Sequence, residues 1–315
     1  MDIELRALSA DDLPLVHSLL ADACLYDEAA EVAEEKLFGP GPEAAAPEAI
    51  GAFARGPDRA RLPDRHLLGV AASSARWVRL LAVHPDDRGR GVGSALLAAV
   101  ESRIAGRGAP LARTLDQPGN YLAPGIDARN RQTIEWAERR GYRPLRENTN
   151  LLLPVVDNPR VTPARAAELA RLAADAGYEV RRARPSDRAA LLPQVALAFS
   201  RAWAFEVERA LDQRPPAVHI AVTRPGGELA AFAAHDGNNR GLGWFGPGGT
   251  LEPHRKHGLG EALLLACMVD VAAAGLEVCT VAWIGPRAFY ERVAGPAGER
   301  RFVVLGKDLA QAAAA

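Results

Sequence analysis

A repeated segment constrains this 315-residue chain more than any other feature of its sequence. The stretch RGRGVGSALLAAV, which begins at Arg88, returns as RKHGLGEALLLAC, which begins at Arg255, so the copies lie 167 residues apart, counted from Arg88 to Arg255. In each copy an apolar strand-like run precedes the glycines and a helical pattern follows them. The alignment places Arg88, Gly91 and Gly93 opposite Arg255, Gly258 and Gly260. A repeat of this length predicts two copies of one fold.

A second pair of segments extends the repeat to the start of each half. LRALSADDLPLV resembles RRARPSDRAALL, which places Arg6 opposite Arg182 at an offset of 176, counted from Arg6 to Arg182. Both segments predict a strand that turns into a capped helix. The larger insertion in the first half, GPGPEAAAPE at 39–48, accounts for the difference between the two offsets.

The domain boundary is predicted between the two copies. The chain is longer than the usual single domain of about 100–200 residues, and Thr162 followed by Pro163 is typical of a helix start that Gly177 would end. We predict an N-terminal domain at 1–156, a linker with a connecting helix at 157–176 and a C-terminal domain at 177–315.

Each half is predicted to be mixed α/β, with strands and helices alternating around one sheet. In the first half we predict strands at 2–8, 66–73, 76–83 and 111–115 and helices at 10–20, 27–37, 93–105 and 129–140. In the second half we predict strands at 178–184, 217–223, 228–235, 241–246 and 277–283 and helices at 186–213, 258–274 and 286–293.

Composition excludes several classes of function. Lys plus Arg is 38 and Asp plus Glu is 39, so the net charge of −1 indicates neither a nucleic-acid nor a membrane partner. The most apolar stretch is interrupted by Asp270 and is too short for a membrane span. Cys24, Cys267 and Cys279 are too few and too far apart for a disulfide framework or a zinc site. We expect a soluble cytoplasmic protein without a bound metal, and the sequence gives no indication of its oligomeric state.

The repeated glycines favour an anion site at a strand-to-helix junction. Unpaired amides at a helix start bind phosphate, and glycine allows the backbone to approach it closely. A P-loop would need Lys and Ser or Thr after the loop, and neither copy has them. A plain turn without a ligand is the remaining alternative, and the repetition in matched context weighs against it.

Both loops resemble the acyl-CoA signature of the GNAT acetyltransferases, Arg/Gln-x-x-Gly-x-Gly/Ala between a strand and a long helix. LAVHPDDRGRGVGSALL is similar to the central motif of that family, and IEWAERRGY and AFYERV resemble its last helix. The second copy is one residue shorter between Pro253 and Gly258 than the first is between Pro85 and Gly91. The chain is thus identified as a tandem protein with two GNAT-like acyltransferase domains.

The resemblance implies a sheet that opens into a V and holds acetyl-CoA as co-substrate. It implies that the pyrophosphate is bound by Arg88, Gly89, Arg90, Gly91, Val92, Gly93 and Ser94 in the first half, and by Arg255, Lys256, His257, Gly258, Leu259, Gly260 and Glu261 in the second. It implies that the pantetheine arm pairs with Leu81, Ala82 and Val83, and with Thr250 and Leu251. One of these amides would polarise the thioester carbonyl.

The two halves differ in the group that would protonate the departing CoA thiolate. GNAT enzymes commonly use a tyrosine on the last helix, which the resemblance places at Tyr290 in the second half, whereas Ala137 stands there in the first and Tyr142 occupies a later position. We therefore expect catalysis in the C-terminal half. A half-buried core aromatic is the alternative role for Tyr290.

A general base and an acceptor pocket are less clearly indicated. The candidate bases are Glu228, His235, Asp236 and Glu252. His254 and His257 flank Arg255 without an evident third metal ligand, so solvated cations beside a phosphate loop are the simpler interpretation. Trp244, Phe245, Trp283, Phe289 and Tyr290 would either wall an acceptor pocket or pack in the core.

Three classes of function remain open. The first is an acetyl-CoA-dependent N-acetyltransferase that acts on a primary amine of a small molecule or peptide. The second is a non-catalytic protein that binds or senses acyl-CoA. In the third, one degenerate half only supports the other.

Overall fold

The computed structural model describes residues 2–55 and 66–310, and it divides into two compact units. Unit 1 comprises the described residues of Met1–Asn148 and Arg301–Ala315, and unit 2 comprises Thr149–Arg300. None of the described helices is long and apolar enough to cross a membrane.

Within the described residues, unit 1 is a mixed sheet with four helices. Its helices are α1 (Leu13–Ala23), α2 (Ala33–Leu37), α3 (Val92–Gly106) and α4 (Arg131–Glu138). Its strands are β1 (Ile3–Ala7), β2 (Glu48–Ala54), β3 (Leu67–Ser74), β4 (Trp77–Val83), β5 (Leu111–Thr114) and β6 (Ile126–Asp127), completed by the C-terminal part of β13 (Gly298–Asp308). The strand order is β1-β2-β3-β4-β5-β13 with β6 beside β13. The apolar residues Leu96, Val100 and Ile104 of α3 form one core with the sheet.

Unit 2 repeats this arrangement. Its helices are α5 (Pro163–Asp175), α6 (Arg188–Ala198), α7 (Arg201–Leu211), α8 (Leu259–Ala273) and α9 (Arg287–Ala294). Its strands are the second part of β7 (Arg143–Pro154), then β8 (Tyr178–Arg182), β9 (Val218–Thr223), β10 (Leu229–His235), β11 (Trp244–Thr250) and β12 (Val278–Val281). The order β8-β9-β10-β11-β12-β7 matches that of unit 1. The predicted mixed α/β architecture is thus present in both units.

The units divide the chain differently from the predicted boundaries at 156 and 177. Residues Leu151–Pro154 of β7 pair with Val278–Val281, so the strand that follows the first half lies in unit 2. Gly306–Asp308 of β13 pair with Leu111–Arg113, so the end of the chain lies in unit 1. Each unit therefore takes its last sheet strand from the other half of the sequence. The predicted connecting helix is α5, a part of unit 2.

The predicted pairing of Arg6 with Arg182 is displaced by one residue. Arg6 donates two hydrogen bonds to the carboxylate of Asp12, at 3.0 and 2.6 Å. In unit 2 Arg181, not Arg182, makes the same fork to Asp187, at 2.7 and 2.9 Å. The structural offset is therefore 175, counted from Arg6 to Arg181, because the ion pair fixes the register of the turn.

Candidate functional site

In both units the central pair of parallel strands separates after two residues. Trp77 and Val78 of β4 pair with β5, after which β4 continues to Val83 without a partner on that side. Trp244 and Phe245 of β11 pair with β12 in the same register. Each sheet therefore opens into the predicted V, at positions 167 residues apart.

A β-bulge lies immediately beyond each point of separation. On β4 the register shifts between Val78 and Leu80, so that Arg79 is the extra residue. On β11 the register shifts between Phe245 and Gly248. A bulge redirects the following residues of a strand and is common beside active sites. The bulges occur at the vertex of both clefts.

Hydrogen-bond alternation shows which amides face each gap. The His84 amide donates to the Leu68 carbonyl, so by alternation Ala82 also bonds toward β3, whereas Leu81 and Val83 face the gap. In unit 2 the Leu251 amide donates to Ala230. The groups equivalent to Leu81 and Val83 are therefore those of Gly248 and Thr250, and the Leu251 amide is already engaged.

Both glycine loops adopt the same backbone conformation. Gly89 and Gly91 have φ values of +77° and +89°, and their counterparts Lys256 and Gly258 have values of +69° and +73°. An added Cβ at Gly89, Gly91 or Gly258 would meet nothing within 4 Å. Lys256 therefore adopts the left-handed conformation that glycine adopts in the first copy.

The loops leave a row of amides available to an anion. Among the described residues, the amides from Gly89 to Ser94 and from Lys256 to Gly260 donate to no backbone carbonyl. The Glu261 amide donates to the Gly258 carbonyl at 3.1 Å, so it is not available in unit 2. These amides lie before and within the first turns of α3 and α8, where the helix dipole also favours negative charge.

The second loop is not shorter than the first. Each begins with a 3-10 turn, Pro85–Asp87 or Glu252–His254, and the glycine before the helix, Gly91 or Gly258, lies six positions after the first residue of that turn. Pro253 is the second residue of its turn, whereas Pro85 is the first. The apparent deletion in the sequence is therefore a shift of the proline within a turn of unchanged length.

Unit 1 contains a cavity of 570 Å³ that begins at its glycine loop. The cavity extends along β4 and under α4, and its lining includes Val78, Leu81, Arg88, Gly89, Trp136 and Ala137. The Leu81, Arg88 and Gly89 positions were predicted from the sequence as part of an acyl-CoA site. The cavity has the size of a ligand pocket.

An aromatic and ionic cluster lies at another part of this cavity. The Arg129 guanidinium donates to both oxygens of buried Asp127, at 2.8 and 2.7 Å, and stands 4.6 Å from the ring of Tyr26. Half-buried Cys24 also lines the cavity. Burial, and next the Asp27 charge, raise the pKa of Cys24 to about 12, so this thiol is not a nucleophile at neutral pH.

Tyr290 and Ala137 occupy equivalent positions on α9 and α4. Trp136 faces Gly93 at the start of α3, and Phe289 faces Gly260 at the start of α8, which fixes the equivalence. The half-buried Tyr290 ring packs edge-on to Phe289 and to Phe245, with centroids 5.1 and 6.4 Å apart. Burial, and next the neighbouring Cys279, raise the pKa of Tyr290, so its hydroxyl stays protonated at neutral pH.

Tyr142 lies beyond the end of α4, not at the position on that helix that is equivalent to Tyr290. Its side chain is 1% exposed, and it lines the cavity from beyond the end of α4. Burial and the neighbouring Glu101 carboxylate raise its pKa. The aromatic residues of unit 2 that were predicted as pocket or core include Phe245, Phe289 and Tyr290, which pack in or against the core of that unit.

Two of the candidate bases belong to a separate network. His235 contacts Asp236 and Asp270, and Asp270 follows the first residue of α8 by 11 positions, about 16 Å along the helix from the glycine loop. Glu228 and Glu252 are exposed. The geometry therefore does not single out a general base among the four predicted candidates.

The two histidines beside the second loop pack on Tyr178. The Tyr178 hydroxyl lies 3.2 Å from His254 Nδ1, and the His257 ring lies 5.3 Å from the Tyr178 ring. In the part of the chain that the structure describes, no group of three His, Cys, Asp or Glu residues is placed to hold a metal ion. The histidines therefore support the loop by ring contacts.

Solved structures share this architecture along the whole chain. The glucosamine N-acetyltransferase region of a fungal multi-domain β-N-acetylglucosaminidase superposes with a TM-score of 0.72 at 16% identity, over 97% of this chain. This chain spans only 38% of that fungal protein. A GCN5-related N-acetyltransferase from Sphaerobacter thermophilus has a TM-score of 0.66 at 21% identity, over 98% of this chain and 96% of its own.

A third solved structure is of a protein with two GNAT domains in tandem. A tandem GNAT protein from the clavulanic acid biosynthesis pathway has a TM-score of 0.69 at 17% identity, over 98% of this chain and 99% of its own. No protein-family model and no curated protein matches this chain. At these identities the similarity shows the fold alone, which is the mixed α/β fold of these acetyltransferase structures, as the sequence predicted.

Proposed function

We propose that the protein is an acetyl-CoA-dependent N-acetyltransferase that acetylates a primary amine of a small molecule or peptide, with transfer in unit 2. The observation that carries this proposal is the repeated arrangement of a bulged, separating strand and a loop of free amides at a helix start. In unit 2 the ring of Tyr290 packs against Phe245, the last residue before the two strands separate, and its raised pKa keeps the hydroxyl protonated. The fold similarity supports the reaction class but does not by itself assign it.

The residues of unit 2 have distinct roles in the proposed reaction. The amides from Lys256 to Gly260 bind the CoA pyrophosphate, and the backbone of Gly248 and Thr250 pairs with the pantetheine arm. A neutral amine attacks the thioester carbonyl carbon, a new C–N bond forms and the C–S bond breaks. Tyr290 then donates its hydroxyl proton to the CoA thiolate, a general-acid role worth about 10²–10⁴-fold in rate. The amine loses its proton to ordered water or to an acceptor-side base.

Unit 1 is proposed to bind acyl-CoA without turnover. Its cavity joins the glycine loop to α4, so it can receive the same ligand, but Ala137 supplies no proton. This division keeps acyl-CoA binding, the second candidate function, in a specific part of the chain. It predicts two binding sites and one catalytic site.

Tyr290→Phe tests the proposal, with Tyr142→Phe as the matched variant in unit 1. Release of CoA thiol from acetyl-CoA is followed with glucosamine and with a lysine-containing peptide as amine probes, and calorimetry gives the affinity for CoA. We expect Tyr290→Phe to lower kcat at least 100-fold with Kd for CoA within twofold of the parent, and Tyr142→Phe to leave kcat unchanged. Unchanged turnover in Tyr290→Phe would remove the assignment, and loss in Tyr142→Phe alone would move catalysis to unit 1.

A further inference from the structure

The helix that carries Tyr290 is capped by side chains from a distant segment of unit 2. An α-helix leaves its last four carbonyls without helical partners. In α9, which has eight residues, these carbonyls accept from Gly295 and from a segment that precedes the helix by more than 120 residues. We call residues 158–165 the cap segment.

Three side chains of the cap segment reach the end of α9. Asn158 Nδ2 donates to the Ala294 carbonyl at 2.8 Å, and Arg165 Nη1 donates to the Val293 carbonyl at 2.8 Å. Arg160 Nη1 donates to the carbonyls of Arg292 at 3.2 Å and Glu291 at 3.4 Å. Each of the last four carbonyls of α9 thus accepts a hydrogen bond from the cap segment.

The equivalent helix of unit 1 is capped locally. The last carbonyls of α4 accept from the backbone of Arg139, Arg140, Gly141 and Tyr142 and from the side chains of Arg140 and Arg143. These donors all lie within the five residues that follow the helix. The distant capping therefore belongs to the unit whose helix carries the tyrosine.

The cap segment is itself held in place. Asn158 Nδ2 also donates to the Pro154 carbonyl at 2.7 Å, and its Oδ1 accepts from the Arg160 amide at 3.0 Å. Thr162 caps α5 by accepting from the Arg165 amide at 3.2 Å. Val161 is buried in the unit 2 core. Contacts that do not involve α9 therefore already hold the donors of the cap segment in position.

Arg165 also contacts the start of the phosphate-loop helix. Its Nη2 donates to Glu261 Oε1 at 3.1 Å, in the first turn of α8. The two side chains are 27% and 24% exposed, so the pair is partly shielded from solvent. Because one guanidinium bonds to both the start of α8 and the end of α9, it fixes the distance between the glycine loop and the helix that bears Tyr290.

We propose that the cap segment, and Arg165 above all, is a positioning device that holds the Tyr290 helix against the acyl-CoA loop of unit 2. This inference rests on the proposed role of Tyr290 as the acid. Without these donors the last turn of α9 has unpaired carbonyls and frays, and the tyrosine leaves the thiolate position. The binding of CoA itself does not require the cap segment.

Hydrogen exchange and kinetics of Arg165→Ala test the proposal in the full-length protein, with Arg171→Ala as the matched control. Arg171 is an exposed arginine of α5, and among the residues that the structure describes it pairs only with Asp175 on its own helix, at 3.0 Å. For Arg165→Ala we expect amides of residues 288–295 to exchange at least 10-fold faster and kcat to fall about 10-fold, with Kd for CoA within twofold. Arg171→Ala should leave all three unchanged.

Two further variants guard against loss of folding. Asn158→Ala removes one cap without touching Glu261, and we expect a smaller rise in exchange confined to the last turn of α9. Arg165→Gln keeps a donor for Val293 but loses the charge that meets Glu261, and it should restore part of the kcat. Unchanged exchange of residues 288–295 in both Arg165→Ala and Asn158→Ala would overturn the inference. If exchange of residues 288–295 becomes faster but Tyr290→Phe has an unchanged kcat, the proposed role of Tyr290 is wrong, whereas the stabilisation of α9 by the cap segment stands.

Discussion

Arg88 and Arg255 make the same contact in the two units, with the Nε atom donating to the carbonyl five residues upstream. The acceptor is Val83 at 3.3 Å in unit 1 and Thr250 at 3.4 Å in unit 2. Each arginine thereby closes the turn between its strand and its helix. Because the contact is present in both units although the neighbouring residues differ, the turn between strand and helix is closed in the same way in each.

We expect calorimetry with CoA to find two sites, and each site to depend on its own glycine. Gly91→Ala and Gly258→Ala place a Cβ where the ligand would lie and strain a left-handed residue, which costs roughly 1–2 kcal/mol. Each substitution should weaken one site at least 10-fold and leave the other unchanged.

Two other glycines separate strain from obstruction. Gly275 and Gly108 also have positive φ and open space for a Cβ, but Gly275 follows the end of α8 and Gly108 follows the end of α3, away from the loops. Alanine at either position should lower stability without changing CoA affinity. If these controls weaken CoA binding as much as the loop variants do, the loops are not the binding sites.

The two glycine loops were predictable from the sequence because the pattern that marks them is local. Glycines before an apolar helix, repeated in the same context, identify both of them, and the fold similarity confirms the GNAT architecture. The conformation of Lys256 was not predictable, since lysine rarely adopts a positive φ. The second loop looked one residue shorter in the sequence because Pro253 is the second residue of its turn, whereas Pro85 is the first, and the turn accepts proline at either place.

The sequence did not predict β7 and β13, the two strands that each unit takes from the other half of the sequence. The first five residues of β7 are all exposed, so they lack the alternation that indicates a half-buried strand. The alternation in β13 is clearer, but its partner β5 precedes it by almost 200 residues, and no local pattern reveals such a pairing. β2 was missed because alanine and glycine dominate its sequence.

Because β13 completes the sheet of unit 1 and β7 that of unit 2, a buried residue of either strand should stabilise the unit whose sheet it completes. Leu305 of β13 is fully buried in the unit 1 core, and Leu153 of β7 is fully buried in the unit 2 core. Either Leu→Ala change should cost about 2–5 kcal/mol in the free energy of unfolding. Hydrogen exchange should rise in 67–114 for Leu305→Ala and in 218–281 for Leu153→Ala.

The opposite result would contradict the placement of β13 in unit 1 and of β7 in unit 2. If Leu305→Ala instead accelerated exchange in 218–281, β13 would belong to the second half, as the boundary at 177–315 implied. CoA binding gives an independent readout, because Ile126, which pairs with Val303 of β13, lines the unit 1 cavity. Leu305→Ala should therefore weaken the unit 1 site and leave the unit 2 site unchanged.

A buried ionic network makes the stability of unit 2 depend on pH. His235 places Nδ1 at 2.8 Å from Asp236 and Nε2 at 3.3 Å from Asp270, so both ring nitrogens meet carboxylates, which favours the doubly protonated ring. Asp270 also accepts from Arg182 at 2.6 Å and lies 2.7 Å from His219 Nε2. Burial opposes the charge on His235, but its two carboxylate partners prevail and raise its pKa.

The sign of the pH effect follows from these shifts. The stabilisation that a raised histidine pKa provides is fully present below the unfolded value of 6.5. It is lost as the pH rises through the pKa of the folded state. Although burial opposes its charge, hydrogen bonds from His219, His235 and Arg182 lower the pKa of Asp270. Its contribution is therefore present above 3.8 and lost on acidification. The network contributes most between these two values.

We therefore expect unit 2 to lose stability as the pH rises above about 6.5 and through the raised pKa of His235, and His235→Gln to remove much of that slope. Glutamine keeps a donor for one carboxylate but carries no charge, so the variant should be less stable than the parent at pH 6, and the difference should shrink as the pH rises. Urea unfolding monitored by circular dichroism gives the free energy at each pH. Exposed His17 of α1 supplies the control, because His17→Gln should leave the slope as it is. An equal slope in the parent and in His235→Gln would show that His235 is not charged in the folded protein.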